Sequence, residues 1–171
     1  AYLHILIAIE RYVVSSGAVS ANGFTTFTKP FLRLFPGIQT LSWNQRVTGE
    51  NREMFERRIR DEGYPEFAIR SRSTPGLRTP APLNPVHFPV TYLAPYASNE
   101  EAPGHDTNVY DAVNRDIRQV TLDRARDEGR AISTCRISLV QAEDAYGLLV
   151  YHPVFLGSNA PNSDASRREP L

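Results

Sequence analysis

Among the acids of this chain, Asp111 stands apart: it occurs in YDAVN, ahead of a polar segment that runs to Gly129. A carboxylate at that place can accept hydrogen bonds from the N–H groups of a small ligand. It can equally be an ordinary helix N-terminal acid stabilised by the dipole. The residues alone leave both readings open. Four histidines, His4, His87, His105 and His152, are scattered, and no two of them stand at a metal-ligand spacing. His105 and Asp106 are neighbours in a polar loop and would hold a cation weakly at best. His152 alternates with apolar residues in LVYHPVF, the setting of a hydrogen-bonded core or pocket histidine. The single cysteine, Cys135, excludes an intrachain disulfide and falls in an apolar run, where cysteine is usually a small buried hydrophobe. No G-x-G-x-x-G, P-loop, G-x-S-x-G or H-E-x-x-H pattern occurs, so the sequence nominates no catalytic residue, no metal site and no cofactor, and reads as a non-enzyme.

Aromatic residues and lone polar residues concentrate where strands and helix starts meet: Phe67, Phe88, Tyr92, Tyr110 and Tyr151. A sheet with one face covered by loops and a helix makes a cup, and small-molecule cups are largely apolar with a few aimed polar groups. The C-terminal hairpin and the helix after Asp111 are the expected walls of such a hollow. The elements that must build it follow from periodicity and punctuation. Residues 2–16 carry a wide apolar stripe at Leu3, Leu6, Ile7, Ile9, Val13 and Val14, which predicts a core or coiled-coil helix. Ser20 or Asn22 would cap a second helix through Phe35, with Pro30 marking a kink or the true start. IQTLSWNQRV reads as a strand with mixed faces. Thr48 then opens a helix whose acids come first and whose arginines come last, stopped by Gly63, with Arg57, Arg58 and Arg60 on a solvated face.

Further on, FAIRS is expected to be a short strand and the proline-rich 73–85 a loop. VHFPVTYLAPY would be an edge strand, since Pro89 cannot donate to a ladder. ASNEEAPGHDTN is expected to be a polar loop, followed by a long helix from Asn108 or Asp111 to Gly129 with Ile117, Val120, Leu122 and Ala125 inward. Strands at 131–139 and 147–155 close the segment, and a polar tail follows from residue 157. This order predicts an α+β domain with an antiparallel sheet.

With 171 residues, 41% of them hydrophobic, the chain can bury a sizeable core without staples. Nineteen basic residues balance nineteen acidic ones, and Lys29 is the sole lysine. That balance lacks the basic face of a nucleic-acid binder. No apolar stretch approaches the roughly 18 residues of a membrane span. The opening AYLHILIAIERYVV reads as the end of a longer helix, so that any anchor would lie outside this segment.

Taken in order, FPGIQTLSWNQRV, ENREMFERRIRDEGYPEFAIR, HFPVTYLAPYASNEEAP, YDAVNRDIRQVTLDRARDEGRAISTCRISLVQ and GLLVYHPVF resemble the CHASE domain, the extracytoplasmic sensory module of receptor histidine kinases and nucleotide or diguanylate cyclases. The resemblance covers roughly residues 24–155. It implies a stalk helix ending near residue 22, a PAS-like ligand-binding lobe over 23–156, and the start of a membrane-proximal lobe, here incomplete, from 157. It also implies a periplasmic or otherwise extracytoplasmic setting, membrane anchoring through flanking segments, homodimers along the stalk and a small-molecule ligand. Carried over by position, Asp111 matches the aspartate that holds a purine-like ligand in the cytokinin receptors of the family, and Ser133, Thr134 and Arg136 match the strand that offers a backbone contact. Tyr151 stands where those receptors have a small hydroxyl residue, so a cytokinin is not the expected ligand. Arg136 and His152 would meet a carboxylate or phosphate. With Tyr110, Phe88 and Tyr92 these make up the expected ligand-binding set, and removing Asp111 is expected to cost the unliganded fold only a few degrees of melting temperature. The alternative is a structural or dimerisation module whose cup is plugged by its own side chains, Tyr151 among them.

Overall fold

The computed structural model describes residues 2–74, 77–139 and 146–155. Its fold is α+β: among the described residues, four α-helices, the first of them N-terminal, with small antiparallel pairings. Helix α1 (Tyr2–Ser16) buries Ile5, Ile9 and Val13, one residue per turn, while Leu3, Ile7 and Val14 of its wide stripe are exposed. Helix α2 (Ala21–Leu34) starts where Ser20 Oγ accepts from Gly23 N at 3.1 Å. Pro30 lies inside α2 and is not its start. The two helices lock through Tyr12 stacked on Phe27, with ring centroids 4.4 Å apart.

Strands β1 (Leu41–Asn44) and β2 (Val47–Thr48) come next, followed after a single 3-10 turn by α3 (Arg52–Asp61). Then come β3 (Arg70–Thr74), β4 (Leu77–Pro80), β5 (Val86–His87) and β6 (Val90–Ala94). The ladders pair β1 with β6, β2 with β5 and β3 with β4, all antiparallel. A segment outside any named strand joins them. Gly104 N donates to Val90 O and Gly104 O accepts from Arg70 N, both at 2.8 Å, and Asp106 N donates to Arg70 O at 2.9 Å. Residues 104–107 therefore run between β3 and the β5–β6 line.

That insertion corrects two expectations. ASNEEAPGHDTN is not merely a solvated loop, because His105, Asp106 and Thr107 are buried. VHFPVTYLAPY is not an edge: every residue of β6 is buried, with β1 on one side and residues 104–107 on the other. Pro89 falls at the break between β5 and β6, where the ladder asks no N–H of it. Residues 77–80 of the expected proline-rich loop form β4, and FAIRS contributes to β3 only its last two residues.

Helix α3 packs Phe55 and Ile59 into the core beside Phe67, Ile69 and Tyr92. Its polar face does more than meet solvent. Arg52 donates to the carbonyls of Ala81 and Ile69, each at 2.8 Å, and Glu56 accepts from Ile69 N at 2.9 Å. Arg60 donates to Phe67 O at 2.8 Å, so the helix also satisfies backbone groups at the β3 end of the sheet.

The C-terminal part holds α4 (Ile117–Glu128) and four two-residue strands, β7 (Ile132–Ser133), β8 (Ile137–Ser138), β9 (Tyr146–Gly147) and β10 (Val150–Tyr151). β10 pairs with β7 and β9 with β8. Gly129 ends α4 with φ +62°, the left-handed cap its position promised. The helix start differs from expectation. Asp111 accepts from Val113 N at 2.7 Å and Asn114 N at 2.9 Å, and Arg115 takes φ +56°. A side chain that captures those N–H groups builds a turn and postpones the helix to Ile117. The buried face of α4 is Arg118, Thr121 and Ala125, whereas Val120 is exposed. The expected run 131–139 breaks between β7 and β8, and Cys135 sits exposed at the break instead of buried. The polar turn at 140–145 and the tail from 157 lie outside the described residues.

Gly104 is the residue on which the inserted segment depends. It has φ +82°, and a Cβ there would stand 2.1 Å from the carbonyl oxygen of Ala68. Gly63, at φ +108°, has open space around it. Gly104→Ala is therefore expected to cost about 3 kcal/mol or more, and Gly63→Ala about 1 kcal/mol, in urea denaturation. Equal losses would show that residues 104–107 are not held between the strands.

Candidate functional site

A cavity of about 820 Å³ separates the sheet from the C-terminal unit. Its volume falls within the range of small-molecule sites. The sheet side contributes Phe88, Val90 and Leu93, joined by Ala102, His105 and Thr107. Helix α1 supplies a second wall through Leu3, Leu6, Ile9 and Glu10. Opposite lie Arg118, Leu122 and Ala125 of α4. Leu139 and residues 146–154 of the hairpin close that wall. Val90, Leu93 and Ala102 form a small apolar cluster apart from the main core. The hollow exists because these apolar surfaces do not meet across it.

Local hydrogen bonds aim the polar groups. Asp106 accepts from His87 Nδ1 at 2.6 Å, and from Phe88 N and Asn108 N, both at 2.9 Å. Its oxygens are thus occupied, which leaves the His105–Asp106 pair poorly suited to a cation. Thr107 Oγ1 donates to Phe88 O at 2.8 Å. These bonds present His105 to the cavity with neither ring nitrogen hydrogen-bonded. On the far wall Arg118 is 5% exposed, and its Nε has no partner. Tyr151 Oη is buried beside the Arg118 guanidinium, and the residue as a whole is half-buried. Burial pushes the Tyr151 phenol up and works against the charge of Arg118. His152 Nε2 lies 2.8 Å from Glu10 Oε2 and so ties the hairpin to α1.

Asp111 does not line the cavity. Its carboxylate is fully buried and faces Arg72 in a bidentate pair, with Nη2 3.0 Å and Nε 3.2 Å from Oδ2. Burial alone would raise its pKa, yet the hydrogen bonds from Asn114 N, Arg72 and Val113 N outweigh burial and hold it below the usual carboxylate value. His105 Nε2 is 3.7 Å from Oδ2, beyond hydrogen-bond reach. Asp111 therefore sits directly behind a cavity residue, and it is not the helix N-terminal acid of the simpler reading.

The other expected positions scatter. Phe88 and Tyr151 line the cavity. Tyr92 points into the main core, with its hydroxyl on Glu62. Tyr110 is exposed. Thr134 Oγ1 is buried and accepts from Leu149 N at 3.0 Å, fastening the hairpin. Ser133 is exposed, and its Oγ donates to Thr134 O at 3.0 Å. Arg136 is exposed and lies over the Tyr146 ring, 3.9 Å from its centroid. Sequence reasoning missed Arg118 and the cavity role of His105. One signal was present: a helical face drawn through Leu122 and Ala125 also contains Arg118, four residues before Leu122.

Two stability predictions follow from this geometry. Removing Asp111 strands the guanidinium of Arg72 in a buried site, and removing Arg72 strands the carboxylate. Asp111→Ala and Arg72→Met are each expected to cost about 3–5 kcal/mol, far more than the few degrees anticipated from sequence. Urea unfolding of both variants measures this, and a loss below about 1 kcal/mol would contradict it. The second concerns pH. Burial and the neighbouring Arg118 bring the His105 pKa from 6.5 down to about 3. The unfolded chain then binds a proton that the folded chain refuses, so stability is full above the unfolded pKa and falls as pH drops toward 3. The slope for one such proton is at most about 1.4 kcal/mol per pH unit. His105→Gln is expected to flatten the stability curve between about pH 6.5 and pH 5, where most carboxylates remain ionised. An unchanged slope would place the titrating group elsewhere.

A family model of the CHASE domain matches residues 17–171, a span that takes in every element from α2 to β10. Among curated proteins, none matches the chain. CHASE domains are extracytoplasmic, non-catalytic sensory domains of receptor kinases and cyclases. Among the described residues no helix is long and apolar enough to cross a membrane. With the match covering most of the chain, this protein belongs to the CHASE domain family.

Proposed function

We propose that this domain senses a small molecule outside the cytoplasm and relays its binding across the membrane to a histidine kinase or diguanylate cyclase. The observation that carries this reading is that α1 forms a wall of the 820 Å³ cavity and is bridged to the facing hairpin by Glu10 and His152. Occupancy therefore bears on the helix itself. A ligand biases signalling only through different affinities for two arrangements, and a wall that shifts on filling supplies two. Anchoring by flanking segments and pairing of two copies along α1 belong to the same proposal. Of the residues expected from sequence, Phe88 and Tyr151 would touch the ligand, with Asp111 supporting His105 from behind. The rival structural module needs a cup filled by its own side chains, and Tyr151 leaves this one open.

Native mass spectrometry of protein purified without added ligand, together with a thermal-shift screen of small metabolites, tests the proposal. A ligand at about 100 times its Kd is expected to add about 2.7 kcal/mol of stability. Leu122→Trp, which fills the hollow from α4, is expected to abolish that gain while changing unliganded stability by about 1–3 kcal/mol. Neither a co-purified molecule nor a stabilising compound would favour the dimerisation module instead.

A further inference from the structure

The cavity is unbalanced in charge. Its other charged lining groups have partners at hand: Arg126 lies on Asp123 and Asp127, and Glu10 Oε2 contacts His152 Nε2. Behind the wall, Arg72 is matched by Asp111. Arg118 alone among the charged lining residues has no ion pair among the described residues. Its contacts among the described residues are to neutral groups, a long 3.4 Å contact from Nη2 to Ser138 O and the neighbouring Tyr151 hydroxyl. It also stands in the first turn of α4, where the helix dipole disfavours a cation. A guanidinium buried to this extent with no ion-pair partner is costly to the free protein. The Tyr151 hydroxyl lies beside it, and His105, whose ring nitrogens have no hydrogen bond, is within its electrostatic reach.

We propose that the cavity binds a small monocarboxylic acid with an apolar body, its carboxylate paired with the Arg118 guanidinium and receiving further hydrogen bonds from Tyr151 Oη and the His105 N–H. This rests on the small-molecule-sensor reading above. The planar fork of arginine matches a carboxylate. The site offers one unmatched positive charge beside a neutral histidine, so a single negative charge balances it and a doubly charged phosphate monoester leaves an excess. Leu6, Ile9, Val90, Leu93 and Leu122 supply the apolar surface for the rest of the molecule.

The test is calorimetric titration and thermal shift of the purified chain with 3-phenylpropionate and octanoate, their primary amides, and phenyl phosphate. The acids are expected to bind and stabilise, with the amides about 100-fold weaker. Arg118→Met is expected to erase the difference between acid and amide and to leave the unliganded melting temperature unchanged or higher, because it removes an uncompensated buried charge. Tyr151→Phe, which keeps the ring and the fold, is expected to weaken the acids about 5- to 10-fold. Equal binding of acid and amide, or tighter binding of phenyl phosphate, overturns the assignment and leaves the sensor reading standing. Failure of both acids also overturns it, and the sensor reading then depends on the co-purified molecules alone.

Discussion

The Arg72–Asp111 pair joins β3 to the turn ahead of α4 across 39 residues of chain, with both side chains almost wholly removed from water. A buried charge pair is poorly solvated, and it persists only where geometry and further hydrogen bonds are good. Here Val113 N and Asn114 N meet the carboxylate from behind, so one aspartate both shapes the turn and anchors it to the sheet. Ala112 N donates to Arg72 O at 2.8 Å and repeats the connection through the backbone. The placement of α4 follows from this anchor, and the far wall of the cavity follows from α4.

The cavity sits between a well-packed body and a lightly built flap. The main core gathers residues from α1, α2, α3 and the sheet. Facing it, the C-terminal strands are two residues each and are tied to one another by few hydrogen bonds, such as Thr134 with Leu149. Short pairings over open space are inexpensive to displace. A wall of that kind is linked to α1 by the His152–Glu10 contact. His105 and the Arg118 Nε face the hollow without hydrogen bonds, a cost that the folded chain carries.

The elements of the body were legible because their causes are local. The i, i+4 spacing of Ile5, Ile9 and Val13, the Ser20 cap, the acid-to-arginine order of α3 and the glycine ends at Gly63 and Gly129 each act within a few residues. The order of short motifs was enough to reach the family. The site was only half legible. Phe88, Tyr151 and His152, all singled out from the sequence, line the cavity. Asp111 was identified as unusual, but its partner at position 72 is a distant arginine that periodicity cannot select. Cys135 was placed inside by an apolar run that the strand break between β7 and β8 turns outward.

What the sequence determined by itself is the inventory: an α+β chain with helices at known places, no nucleophile pattern, a lone carboxylate ahead of a helix, and aromatic residues near strand ends. Tertiary structure alone decided that residues 104–107 enter the sheet, that β6 is central, that Arg118 faces inward, and that a hollow remains. The physical reason is distance along the chain. Caps, turns and helical stripes are chosen by neighbours, whereas pairing, charge compensation and empty space are chosen by segments that meet only once the whole chain has closed upon itself.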